Sequence, residues 1–563
     1  PTAYKYMRRV MRIQVWVMVW SFWLMSNPSR ADASREGGEQ QQVLSSSVQA
    51  RKGETDKSNA NLIFSSFAGL LQQWPNTFAY SGHSIIPGIV PRATLLYHGT
   101  NDTNGPPKEG LEWLAFDPEM SYRIASIRPG DTSLYTYVAT HPLRVIYFDG
   151  QSASLGTPGF MDSQFAIINA SVPEIFPDLG HFIEAEYARA TALCKLADKY
   201  GFEGVVRMNT GFELLWCDFG KGIELLNVIN VTDPFTDNVP ASTTKSHPAH
   251  KIFAPNYLRH GRQSPLSRGG FWNAVHSGSQ HFFAPGEVRV ILDPEGFISF
   301  YDGLESLNAK RRSDGTSGGP RSRHRLYGIS KEDARTVQER LVEVLGRKNS
   351  ENWRADPGRP DWRAVVLTIV DRYSPLLGEL DYLLNRADLN ATVQAIEVRT
   401  LTYDLIMPSL DFSDWNSPEP GWLVHGIRRC TRAYTSAPLT PSDLSRPIRM
   451  IIRSIEGTLE RLCGKMYDLF EQTILLHLPI TPSLPFNSTL EVIARSKIPA
   501  WREEVESLQK WLGWSTWAHC QPRCKNDEIC MPPLWPMLWG KVITNLTNQF
   551  PICLNSSSSS KIL

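Results

Sequence analysis

Leu95-Leu96-Tyr97-His98-Gly99-Thr100 reads as an apolar and aromatic strand running into a turn at Gly99. The stretches on either side extend that reading. Ser133 to Thr140 and Leu143 to Phe148 are β-branched and aromatic runs split by His141-Pro142, the pattern of a hairpin. Glu184 to Tyr200 carries Tyr187, Ala190, Thr191, Cys194 and Ala197 at helical spacing and stops at Gly201, a C-terminal cap signal. Val205 to Met208, Phe212 to Phe219 and Ile223 to Val231 follow as strands. Residues 61–235 are therefore expected to form one α+β domain around a twisted sheet.

Beyond it the pattern changes. Residues 236–327 are punctuated by Pro, Ser, His and Gly and are expected to be a linker region with some strand. The basic, Gly/Ser-rich stretch from Lys310 to Arg325 is its most flexible part, and Lys310-Arg311-Arg312 is a candidate processing site. Ser330 and Asp333 open a helix in which Ala334, Val337, Leu341, Val344 and Leu345 share a face. Trp362 to Leu384 repeats the helical pattern, with Pro375 as an expected kink. Pro447 suits a first turn, and Ile448, Ile451, Ile452, Ile455, Leu459, Leu462, Met466 and Leu469 make a long apolar stripe. Residues 328–515 should be an all-α domain, and 516–563 a cysteine-rich segment with a disordered Ser-rich tail. The fold class is thus multi-domain: α+β, then all-α, then a short disulfide-tied tail.

The chain's chemistry of location is written at its ends. Lys5, Arg8, Arg9 and Arg12 precede the apolar run Ile13 to Met25, and Ala31-Asp32-Ala33 follows, which fits a signal peptide over 1–33. An uncleaved single-pass signal anchor is the alternative, and the one route by which a membrane becomes a partner. Residues 34–60, rich in Gln, Ser, Glu and Lys, are expected to be a disordered leader. Asn-x-Ser/Thr sequons stand at Asn101, Asn169, Asn230, Asn390, Asn487, Asn545 and Asn555. The eight cysteines are an even number, and Cys520, Cys524 and Cys530 crowd together. They lack the Cys-x-x-Cys spacing of a zinc site, so disulfides are expected and no metal. Cys194 and Cys217 are placed to meet between helix and strand, or else to be small buried apolar residues. These signs point to a secreted or lumenal glycoprotein.

Fifty-eight basic against 57 acidic residues give a net charge of +1, so no global field recruits nucleic acid. No Walker loop, dinucleotide glycine fingerprint or zinc-protease His-Glu pair occurs. Gly315-Thr316-Ser317-Gly318-Gly319 spells a nucleophile elbow, but no strand precedes it. Trp511, Trp514 and Trp517 before Cys520 are similar to the layered-tryptophan strand of thrombospondin type 1 repeats. An amphipathic helix through Trp501, Val505, Leu508 and Leu512 accounts for most of the same stretch.

Three motifs in order carry a second resemblance. Leu95 to Thr100, Leu114-Ala115-Phe116-Asp117-Pro118-Glu119-Met120-Ser121-Tyr122, and Gly201 to Val206 with Gly211-Phe212-Glu213-Leu214-Leu215-Trp216 resemble the nucleotide site of His-Tyr-Glu ADP-ribosyltransferases. The resemblance covers residues 90–220 and implies an ADP-ribosyltransferase or NAD glycohydrolase site at His98, Tyr122 and Glu213. NAD would be substrate, not a tightly held cofactor, and the second partner an unknown protein target. Glu213 would stabilise the oxocarbenium-like ribose, Tyr122 would stack on nicotinamide, His98 would orient a ribose hydroxyl, and the Gly99 backbone would pair with the carboxamide. Each residue has a plainer reading. His98 can be a hydrogen-bonded structural histidine, Tyr122 a packed aromatic and Glu213 a solvent-facing carboxylate. More broadly, the chain resembles a group of uncharacterised secreted or membrane-attached proteins of filamentous fungi, which brings no known activity. A catalytically inactive relative, acting as an extracellular binding or surface-structural glycoprotein, is the alternative function.

Overall fold

The strand that opened the reading does form. In the computed structural model Leu95–Thr100 is β2, one of ten strands in a single sheet. The structure describes residues 59–73, 82–126, 131–155, 159–174, 182–209, 211–232, 272–278, 286–316, 323–347, 360–414, 421–436, 444–481, 487–531 and 552–555. The chain divides into two units, residues 1–57 and 58–563, and the described residues belong to the second. The expected signal peptide, nearly all of the leader, the Asn545 sequon and the Ser-rich tail lie outside the described residues.

The other strands are β1 (Ser84–Val90), β3 (Glu112–Ala115), β4 (Ser133–Ala139), β5 (Leu143–Phe148), β6 (Gly204–Met208), β7 (Phe212–Trp216), β8 (Ile223–Asn230), β9 (Ile291–Leu292) and β10 (Ile298–Ser299). Their order across the sheet is β10-β1-β5-β6-β7-β3-β2-β4-β8, with β9 also on β1. All pairs are antiparallel except β5–β6. The expected hairpin of residues 133–148 does not exist. β4 pairs with β2 and β8, while β5 pairs with β1 and β6. The His141-Pro142 break instead carries the chain from one part of the sheet to another.

Alternation along the strands gives the sheet two apolar faces, and each is covered. On one face Ile85, Ile146, Phe148, Val205 and Leu215 pack against helices α3 (Asp162–Asn169), α4 (Phe182–Lys199) and α7 (Lys331–Leu345). On the other, Leu96, Leu114, Val206, Phe212 and Leu214 share a core with α1 (Ala60–Ala68) and the helical region. That region comprises α8 (Trp362–Leu384), α9 (Ala391–Ile406), α10 (Gly421–Thr431), α11 (Arg446–Leu475) and α12 (Ser488–Leu512). α1 precedes the sheet in sequence yet docks on the helical region: the Ser65 hydroxyl donates to the Leu512 carbonyl at 2.7 Å.

The helical expectations hold in detail. The Ser330 side chain accepts from Asp333 N, and the apolar positions Ala334, Val337, Leu341, Val344 and Leu345 are buried. Ser445 caps α11 with a proline in its first turn, and all of the expected stripe except the half-buried Ile452 is buried. α8 runs through Pro375 as one helix. Residues 236–327 are less of a linker than expected. They supply β9 and β10, α5 (Trp272–Gly278) and α6 (Glu305–Ser313). Lys310, Arg311 and Arg312 end α6, where Arg311 is buried over Tyr301 and Lys310 pairs with Asp314 at 2.7 Å. A protease needs an extended, accessible strand, so this turn of helix is a poor processing site.

All eight cysteines are bridged: Cys194–Cys217, Cys430–Cys463, Cys520–Cys530 and Cys524–Cys553. The last two tie a ribbon of β11 (Ile529–Met531) and β12 (Ile552–Leu554). Among the described residues the side chains close enough to share a metal ion are these same cysteines with Glu528, and bridged sulfurs offer no thiolate. No described helix is long and apolar enough to cross a membrane.

Candidate functional site

The strand registers decide which candidate residues can meet. Directly opposed residues on neighbouring strands point to the same face. Glu213 stands opposite Ala115, and Ala115 opposite Tyr97, so these three share one face. His98, next to Tyr97, points to the other. It sits opposite Tyr135, packs edge-on against Phe219 at 5.7 Å, and its Nδ1 donates to the Trp113 carbonyl at 2.8 Å. His98 is therefore a buried structural histidine, and the sheet lies between it and Glu213.

Gly99 does lack a Cβ for a reason, but the space is already taken. Helix α2 (Pro118–Ala125) lies across β2, and a Cβ on Gly99 would meet the Ser121 carbonyl oxygen at 2.5 Å and the Ala125 Cβ at 3.1 Å. The strand continues through Gly99 to Thr100 instead of turning there. Where a carboxamide would pair with the Gly99 backbone, the chain's own helix is packed. Tyr122 rides on that helix, half-buried, and its carbonyl caps the turn by accepting from Ser126 N at 2.9 Å. Gly99→Ala should thus cost about 2 kcal/mol by overpacking. A thermal melt followed by circular dichroism would read this, and an unchanged midpoint would show that α2 can shift away from β2.

Glu213 is neither solvent-facing nor in an open cleft. It is 7 % exposed and opposes Arg207 across the β6–β7 hairpin. Arg207 donates to its Oε1 through Nη2 at 2.7 Å and Nε at 3.1 Å. The same guanidinium donates to Glu186 of α4 at 2.5 Å and to the Gln164 side-chain oxygen of α3 at 3.2 Å. Gln164 in turn donates to the Ser152 carbonyl at 2.6 Å, and Arg189 closes the array onto Glu186. Arg207 is 1 % exposed, so one guanidinium joins two strands and two helices in a dry interior. Beside this array Ala115, Met120, Ala274 and Val275 pack with Met531 and Leu554 of the disulfide-tied ribbon.

The two carboxylates differ in their electrostatics. Burial pushes the Glu213 carboxyl above the usual range; Arg207 opposes this and the neighbouring Glu186 charge adds to it. Burial acts on Glu186 in the same direction, yet Arg207 and Arg189 outweigh it and hold its carboxyl below the usual range. Between its two carboxylates, Arg207 is held in its charged form. The lowered group stabilises the fold above its unfolded-state range and loses that contribution as pH falls through its native value. The raised group works the other way: its contribution is present at acid pH and is lost as pH rises through its native value. At pH 7, Glu186→Gln should therefore cost about 3 kcal/mol. Glu213→Gln, which removes a charge that burial disfavours, should cost less, under about 1 kcal/mol. Urea titrations at pH 7 and pH 4 would read both. Equal costs at pH 7 would contradict this division of roles.

Sequence reasoning passed over Arg207, Glu186, Arg189 and Gln164. The signal was present: Arg207 lies inside Val205-Val206-Arg207-Met208, and a charge in a strand buried on both faces demands a partner. It also missed Arg289, which donates to Asp117 Oδ1 at 3.0 Å and Glu287 Oε2 at 2.6 Å and so fixes the start of α2.

The family model described as the YPL277C N-terminal domain matches residues 49–133 and 126–246, most of the sheet. Two similar proteins of Saccharomyces cerevisiae extend further. The uncharacterized protein YOR389W is 23% identical over 550 residues, covering 86% of this chain and 82% of its own length. The uncharacterized protein YPL277C is 24% identical over 440 residues, covering 67% of this chain and 84% of its own. The chain is thus similar to an uncharacterised family whose names carry no activity. No solved structure matches.

Proposed function

We propose that this chain is a glycoprotein of the secretory pathway whose α+β region is a catalytically inactive binding or surface-structural module. One observation carries the proposal: the residues that would make an NAD site do not converge. His98 and Glu213 leave opposite faces of the sheet, and Glu213 is committed to Arg207. A carboxylate in that role is not free to bond a ribose hydroxyl, and α2 occupies the approach to Gly99. The resemblance to His-Tyr-Glu ADP-ribosyltransferases is then one of strand sequence, without an NAD-consuming site.

Export is supported by the chemistry of the cysteines. Four bridges with no free thiol suit an oxidising compartment, since cytosolic glutathione keeps such pairs reduced. The basic and apolar N-terminal run and the sequons point the same way. The test is to express the full chain with its own leader in a yeast host. The proposal predicts protein that shifts on endoglycosidase treatment and resists alkylation until reduced. Recovery in the medium would indicate a cleaved leader, and recovery in carbonate-resistant membranes a signal anchor. Unglycosylated cytosolic protein with alkylatable thiols would overturn it.

A further inference from the structure

The last strand of the sheet is built unlike the others. β8 pairs with β4 along one edge and ends the strand order, so among the described residues its outer edge carries no partner strand. Almost every residue from Glu224 to Asn230 is exposed, including Leu225 (47 %), Leu226 (55 %), Val228 (44 %) and Ile229 (46 %). An apolar, open edge of this kind is a template for adding a strand from another chain. A register shift between Thr136 and Tyr137 bends it locally, which discourages pairing but leaves the apolar side chains uncovered.

The same strand ends in the sequon Asn230-Val231-Thr232. Asn230 is exposed and lies opposite Ser133, as Val228 lies opposite Tyr135 and Leu225 opposite Tyr137, so these three β8 side chains share a face. The Asn230 Oδ1 accepts from Thr232 N at 2.9 Å, which holds the amide in place and leaves its nitrogen Nδ2 directed away from that bond. Thr232 is anchored in turn: its hydroxyl oxygen accepts from Thr132 N at 2.8 Å. We propose that Asn230 carries an N-linked glycan that lies along β8 and keeps its open apolar edge from pairing with a second copy of the chain. In the transfer, Nδ2 gives up a proton to solvent and bonds the anomeric carbon of an N-acetylglucosamine as that carbon's bond to oxygen of the lipid-linked donor breaks, and the lipid pyrophosphate leaves with the electron pair. A bulky, hydrated group at that position covers the edge without a charge or a proline in the strand.

The inference rests on the export reading, and the experiment separates the two. Glycopeptides of the full chain, purified from a eukaryotic secretory host, would be mapped at all seven sequons, of which Asn169, Asn230 and Asn487 are exposed. Sugar at Asn230 in nearly all molecules is the expected result. Sugar at any other sequon with Asn230 bare overturns this inference and leaves the export reading standing. All seven sequons bare overturns both. Asn230→Gln should then at least double the mass read by light scattering as concentration rises, and adding Leu226→Lys should return it to the wild-type value. Trimming the folded wild-type glycan with an endoglycosidase gives the same readout without a substitution. A trimmed protein whose mass does not rise with concentration contradicts the shielding role.

Discussion

Arg207→Ala should lower folding stability by about 4 kcal/mol. The guanidinium is the common partner of Glu213, Glu186 and Gln164, which belong to β7, α4 and α3. Removing it leaves two carboxylates without their shared cation at a site closed to bulk solvent. Urea unfolding measured at pH 7 would show the loss as a lower midpoint with an unchanged slope. Combining Arg207→Met with Glu213→Gln, which leaves Glu186 paired with Arg189, should recover more than half of it. Most of the cost is the uncompensated charge and not the loss of a favourable pair. If this double variant is no better than Arg207→Ala, the array stabilises the fold through its geometry and the electrostatic account fails.

The second large effect is expected at the bridge between Cys194 and Cys217. It joins α4 to the end of β7 across a sequence separation of 23 residues. Closing a loop of that length removes chain entropy from the unfolded state worth about 3 kcal/mol. Cys194→Ala with Cys217→Ala should cost that much in a urea titration. The bridge and the Arg207 array pin the same helix to the same hairpin, so the two losses should fall short of additive. A double cysteine variant as stable as the wild type would mean that the array alone holds α4 in place.

Much of this architecture is legible from local pattern. The Ser330 cap, the α11 stripe, the Gly201 stop and the Cys194–Cys217 pairing each depend on residues near in sequence or on one plain spatial constraint. What is not legible is partnership. The runs 133–140 and 143–148 do form strands, but alternation says that a segment is a strand and not which strand lies beside it. The pairing was set by β1, some fifty residues upstream, and by β8, some eighty downstream. The same limit applies to the site. His98, Tyr122 and Glu213 occur in a suggestive order, yet their faces depend on strand register, and one residue of parity separates a shared cleft from opposite sides of a sheet. The basic run at 310–312 misled for a related reason. Its composition suits a linker, while Leu307 and Arg311, four residues apart, turn one side of a helix inward.

The central claim is that Glu213 is a buried partner of Arg207 and does no chemistry on NAD. Nicotinamide release from NAD by the secreted, glycosylated chain, measured beside Glu213→Gln, tests this most directly. The account predicts no release above the uncatalysed rate from either protein, with both folded. Turnover by the wild type that Glu213→Gln abolishes, while its urea midpoint stays unchanged, would contradict it.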